Sequence, residues 1–168
     1  MKKITITFWL LLLFASNSFC ETQKNFAGSS SYFNYTINYP SDWQAIDMYG
    51  FAVIMGPSEN KEKILVTVAD LSKKPMSLEE FANLWLKLTP LEIQNFQIID
   101  KGEITINDRK ALFYVYSGKR AGMNLKCKRY TFSEKSNIYE LTYEAREENF
   151  DKYLNRAEEI LKSIKVIK

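Results

Sequence analysis

The chain has 168 residues, 46% of them apolar and 26% charged, with 23 basic side chains against 20 acidic and no histidine. That length builds one domain with a proper core, and the balance excludes a disordered or low-complexity protein. The missing histidine excludes imidazole-based serine and cysteine catalysis and removes the commonest ligand of zinc, copper and non-haem iron.

Lys2 and Lys3 precede an uncharged run, ITITFWLLLLFA, at residues 4–15. Such a run is too short for a bilayer, which takes about 20 apolar residues. A basic start, a short apolar run and then small polar residues make a secretory signal peptide over residues 1–20. The protein is therefore expected to be exported, periplasmic or secreted. Two fates of Cys20 stay open. Ser18-Phe19-Cys20 fits a small-x-small cleavage rule with Cys20 removed. Alternatively Cys20 is the first mature residue and carries lipid, although Phe19 and Asn17 are not the small residues usual before a lipidated cysteine. Loss of residues 1–20 takes two lysines and no acid, leaving 21 basic against 20 acidic residues. No broad positive field then remains to hold nucleic acid or an anionic membrane. Membrane contact would come only through a partner or a lipid anchor on Cys20. With Cys20 removed, Cys127 has no second cysteine to pair with.

Residues 21–31, ETQKNFAGSSS, read as a polar, flexible lead. Phe33, Tyr35, Ile37 and Tyr39 then alternate with Asn34, Thr36 and Asn38, the period of a strand with one buried face. Pro40 has no amide hydrogen for a ladder, so pairing stops there. Pro-Ser-Asp turns the chain and Trp43 folds back onto the core. The apolar runs at residues 51–57 and 64–71 flank the polar SENKEK and make a hairpin. Ser77 and Glu80 form a capping box, with Met76 stapled onto Phe81. Leu78, Phe81, Ala82, Trp85 and Leu88 share one face of the helix that follows, and Pro90 marks its stop.

Four further strands are predicted near residues 96–106, 110–116, 124–132 and 138–145, with Asn107-Asp108 and Ser117-Gly118 as turns. A last helix carries Phe150, Tyr153, Leu154, Ala157, Ile160, Leu161 and Ile164 at spacings of three and four. Asp151 near its start, and Lys162 and Lys165 near its end, suit the helix dipole. Strands, helix, strands, helix describe an α+β sandwich on an antiparallel sheet, a single domain over residues 32–168.

Little catalytic chemistry is on offer. Cys127 alternates with Met123 and Leu125 on an apolar strand face and reads as an inert buried thiol. Glu79 and Glu80, and Glu144 with Glu147 and Glu148, read as caps and dipole partners at helix starts rather than as a glycosidase pair. Asn34-Tyr35-Thr36 is a glycosylation sequon inside a strand. No catalytic residue, metal site or cofactor is assigned. Lys119, Arg120, Lys126, Lys128 and Arg129 form the one local basic cluster, a candidate docking patch for an acidic protein partner. The same cluster also fits an edge strand protected by lysine.

In this order the elements resemble the PsbP-like family. YTINYPSDWQ gives an aromatic strand, proline, then tryptophan, and MSLEEFANLW gives a capped helix after the first sheet segment. GEITINDRKALFYVY is a strand, tight turn and strand; YELTYEA leads to the closing helix FDKYLNRAEEILKSIKV. The resemblance covers residues 32–166. It implies a three-layer α/β/α sandwich, and a scaffolding or docking role more than catalysis. Founding members are extrinsic subunits on the lumenal side of photosystem II, and relatives occur in bacteria without photosynthesis. No catalytic motif belongs to the family as a whole, so it brings no site residue. The expectation is an exported, non-enzymatic monomer that docks on a protein partner in the cell envelope. A small-ligand carrier with a pocket between sheet and helix is the alternative, followed by a carboxylate-based hydrolase.

Overall fold

The computed structural model describes residues 22–57 and 62–167. The signal segment, Cys20 and part of the SENKEK loop lie outside the described residues. Two strands, β1 (Gln23–Ser29) and β2 (Asn34–Pro40), open as an antiparallel pair. A meander follows: β3 (Gln44–Met48), β4 (Phe51–Met55) and β5 (Lys63–Asp70). Then comes helix α1 (Leu78–Glu92) and four long strands, β6 (Gln94–Ile106), β7 (Arg109–Arg120), β8 (Met123–Glu134) and β9 (Asn137–Arg146). A short 3-10 turn leads into helix α2 (Phe150–Lys162) and a final two-residue strand, β10 (Lys165–Val166). The main antiparallel sheet has seven strands in the order β3-β4-β5-β9-β8-β7-β6, and β1-β2-β10 form a small second sheet.

The long strands alternate between two cores, as a sheet buried on both faces requires. Ala111, Tyr130, Phe132, Tyr139, Leu141 and Tyr143 face one way, toward Tyr35, Ile37, Trp43 and the stripe Phe150, Ala157, Ile160 and Leu161 of α2. Leu112, Tyr114, Tyr116, Leu125 and Cys127 face the other way, toward Leu78 and Ala82 of α1. The three layers are thus α1, the main sheet, and α2 with the small sheet. Trp43 is completely buried, so the Pro40–Trp43 corner is a core element. Its amide donates to Pro40 O at 3.0 Å, and Arg156 of α2 clamps Asp42 with two hydrogen bonds of 2.9 and 3.1 Å. The Tyr143 hydroxyl donates to Phe150 O at 3.0 Å, pinning the start of α2 to β9.

The capping box of α1 is complete: Ser77 Oγ accepts from Glu80 N at 3.1 Å, and Glu80 Oε2 accepts from Ser77 N at 2.7 Å. Other sequence expectations are corrected. Helix α1 runs past Pro90 to Glu92, with proline in its last turn; there it forfeits a single backbone bond, and the Thr89 hydroxyl donates back to Trp85 O at 2.8 Å. Leu86, not Leu88, packs on the core, and Leu88 is 47% exposed. Ser117-Gly118 lies inside β7, and the turn falls at Ala121-Gly122, both at positive φ. Asn107-Asp108 does make its turn, with φ of 47° and 63°, the pattern of a two-residue hairpin. Lys165 sits in β10 rather than at the end of α2.

The flexible lead is also corrected, because residues 23–29 are β1. Its side chains are mostly exposed, so no hydrophobic period announces it. What holds it is an unbroken ladder to β2, from Gln23↔Pro40 to Ser29↔Asn34. The ladder brings Gly28 against the turn between β3 and β4. A Cβ on Gly28 would lie 2.2 Å from Gly50 O and 2.5 Å from the Tyr35 ring. Backbone and a fully buried ring cannot yield cheaply. Gly28→Ala is therefore expected to lower the unfolding free energy by about 1–3 kcal/mol in urea denaturation, whereas a flexible lead would tolerate it without change.

Candidate functional site

The sheet face under α1 is only partly covered. Helix α1 packs against β6 and β8. Its anchor is Trp85, with ring centroids 5.2 Å from Tyr114, 5.3 Å from Tyr116 and 5.9 Å from Phe96. One cross-strand row on this face runs Ile46, Val53, Leu65, Thr142, Arg129, Tyr114. Exposure along it falls from 45% at Ile46 to 8% at Thr142, Arg129 and Tyr114. Strands β3, β4 and β5 therefore offer half-buried apolar side chains, with Met55 39% exposed beside them. Leu84 and Leu88 on the flank of α1 are exposed as well, at 42% and 47%. Between that flank and the sheet lies a groove of about 340 Å³, walled by Phe81, Leu84, Trp85, Leu88, Arg129 and Glu140.

The buried charges on this face are paired. Arg129 lies over the Trp85 ring at 4.5 Å, pairs with Glu140, and donates from Nε to Thr131 Oγ1 at 3.2 Å. Burial pulls its guanidinium down to about 10, which leaves it charged at neutral pH. Thr67 donates to Glu140 at 3.0 Å. Glu144, buried in β9, is held by Lys63 at 3.0 Å and by Arg120. Glu144 is thus no helix cap, a correction to the sequence reading, because β9 extends through Arg146. Glu147 and Glu148 do begin the 3-10 turn.

The five cations of the expected docking patch do not form one surface. Lys126 reaches Asp151 at 3.4 Å and lies 4.6 Å over the Phe150 ring. Lys128 pairs with Glu158 and sits 5.7 Å from the rings of Phe113 and Tyr130. Both are on the α2 side. Arg129 and Arg120 are on the α1 side in the pairs just described. Lys119 alone is exposed, at the end of β7 beside Asn95 and Asn124. The physical reason is the period of two: neighbours on β8 point to opposite faces.

Cys127 is 1% exposed, and burial pushes its thiol up to about 12. It stays protonated near neutrality, so peptide mass mapping after iodoacetamide at pH 8 is expected to find Cys127 unmodified in the native protein and modified in urea. Lys128→Glu should lower the unfolding free energy by about 2 kcal/mol or more, since it sets two carboxylates side by side in a mostly buried site. Lys119→Glu should stay within about 0.5 kcal/mol, as an unpaired surface change. Equal effects in the two variants would overturn this division of the cluster.

No protein-family model matches the chain, and no curated protein matches it by sequence. Solved structures do. The solution structure of cyanobacterial PsbP from Synechocystis has a TM-score of 0.62 at 12% identity, over 90% of this chain and 96% of that one. LpqN of Mycobacterium tuberculosis, involved in cell envelope biogenesis, has 0.61 at 15% identity, over 87% and 92%. PA94 of Pseudomonas aeruginosa, a protein of unknown function described as a putative regulator, has 0.61 at 11%, over 83% and 94%. The likeness spans 83–90% of this chain, and at these identities it is a likeness of fold. The chain has a PsbP-like fold.

Proposed function

We propose that the protein is an exported, non-enzymatic binding or assembly protein that docks on a partner protein in the cell envelope through the uncovered half of the main sheet. The observation that carries this reading is the row Ile46, Val53, Leu65 with Met55, exposed or half-buried on the same sheet face as the groove that Leu84 and Leu88 of α1 wall with Arg129 and Glu140. Exposed apolar side chains gathered on one face mark an interaction site more often than a bare surface. Arg129, Glu140 and Glu144 are already paired, so an apolar segment of a partner laid over them would leave none of these buried ions unmatched. The signal-like residues 1–20 support export, and the envelope role of LpqN, a protein of like fold, fits the same setting. The absence of histidine and the buried, protonated Cys127 support a role without covalent chemistry.

A small-ligand carrier is the second reading, favoured by the groove of about 340 Å³ between α1 and the sheet. Native mass spectrometry separates the two, because a carrier retains a bound mass and a docking face does not.

The test of the leading reading is a crosslinked pull-down from the host's envelope fraction. Ile46→Lys with Leu88→Lys alters two exposed positions and should leave the melting temperature within a few degrees. Capture of the dominant prey should fall about tenfold or more. Lys119→Glu should capture as wild type does. Undiminished capture by the double variant would sink the docking assignment.

A further inference from the structure

Of the two edges of the main sheet, one is defended and the other is not. A free edge strand presents unpaired N–H and C=O groups that can template a further strand, and proteins blunt it with lysine, proline or bulges. The β6 edge carries exposed Asp100, Lys101 and Glu103, and its register with β7 shifts between Gln94 and Gln97 and again between Ile98 and Asp100. The β3 edge, Gln-Ala-Ile-Asp-Met, has no lysine or proline and pairs with β4 without a shift. Its one charge, Asp47, accepts from Gly50 N at 2.7 Å inside its own turn.

That turn fixes which groups of β3 face outward. Tyr49 and Gly50 have φ of 58° and 90°, the two-residue turn that closes on a mutually hydrogen-bonded pair, here Met48 and Phe51. Bonded pairs then recur at Ile46↔Val53 and Gln44↔Met55. The alternate residues of β4 bond toward β5 instead, and Gly56 continues that alternation by donating to Glu62 O at 3.0 Å. The N–H and C=O groups of Ala45 and Asp47 are left pointing out of the sheet, with no backbone partner among the described residues.

Two such edges fit each other. Laid antiparallel about Ile46, Ala45 of one copy meets Asp47 of the other, and each such pair exchanges both of its N–H···O bonds. Ile46 then stands opposite Ile46 in a non-bonded pair, where side chains approach most closely. Gln44 meets Met48, and Asp47 faces an alanine, so no like charges are directly opposed. The row Ile46, Val53, Leu65 runs on into its counterpart as one apolar strip across the axis. Tyr49, 96% exposed, follows Met48 and comes beside the corner that precedes β3 in the other copy.

We propose that the protein is a two-fold dimer, in place of the monomer expected from its sequence, in which the β3 edges of two copies pair antiparallel about Ile46 and join the main sheets into one. The contact is isologous and closes on itself. Only the defended β6 edges remain at the ends of the joined sheet. The open halves of the two sheets lie side by side, and the pairing does not depend on what docks on them.

The test uses the purified full chain as the cell processes it. Sedimentation velocity over an about hundredfold range of concentration should show a monomer–dimer equilibrium. Ile46→Lys and Ile46→Glu each set like charges opposite one another across the axis, so each alone should associate about tenfold more weakly or worse. Mixed in equal amounts, the two variants should pair again, with native mass spectrometry finding the heterodimer in excess over either homodimer. Both alter an exposed position, and circular dichroism checks that each is folded. Met55→Lys lies on the same face but away from the axis and should dimerise as wild type does. The proposal is overturned if wild type stays monomeric throughout, if Ile46→Lys dimerises as wild type, or if the mixture stays monomeric. It is overturned equally if Met55→Lys abolishes the dimer, since the copies would then pack face to face. No envelope partner enters the experiment, so this result and capture from the envelope can fail independently.

Discussion

A sheet of seven strands has to cover two faces with very little helix. Strands sit about 4.8 Å apart, so the main sheet is about 30 Å across, whereas a helix with its side chains is about 10–12 Å wide. One helix can shelter two or three strands. On one face the chain answers by adding the small sheet beside α2, and the core there closes around Trp43, Tyr35 and the α2 stripe. On the other face it supplies α1 alone, over the β6 end. The exposure of Ile46, Met55 and Leu88 is a consequence of that shortage, and the docking face we propose follows from the same arithmetic of widths.

Much of this was legible in the sequence where the signal is local. The capping box at Ser77 and Glu80, the Asn107-Asp108 turn and the Pro40–Trp43 corner each rest on a few adjacent residues, and each is present. The strand β1 was not legible, because its exposed side chains carry no period and what holds it is backbone pairing with the adjacent β2. The turn at Ala121-Gly122 was hidden by the neighbouring Ser117-Gly118. That glycine serves close packing instead: a Cβ there would meet Ile93 at 2.2 Å. The basic cluster was misread by counting charges along the chain. The alternation that puts Cys127 on the apolar face also sends Lys126 and Lys128 to the other one, so the information was present but belonged to the strand period.

The uncovered face was beyond the sequence for a different reason. Leu88 looks like a core position of an amphipathic helix, and only the placement of α1 decides which flank is buried. Trp85 makes that decision. Its edge-on and tilted ring contacts with Tyr114, Tyr116 and Phe96 draw the helix toward β6, and its other neighbour, Arg129, fills the border with the open half.

Arg129 also shapes what the open half can recognise. A lone guanidinium at the edge of an apolar strip would favour acidic partners and make binding sensitive to salt. Paired with Glu140 and covered by an indole, it presents no net charge, whereas Glu144, shared by Lys63 and Arg120 one row along, leaves one positive charge in excess at the edge. A partner laid across Val53, Leu65 and Leu88 would meet apolar carbon flanked by ion pairs that are already satisfied. Recognition there, on the function we propose, would rest on shape and apolar area, and Lys126, Lys128 and Arg129, which look available in the sequence, act inside the fold, holding α2 and the strand face together.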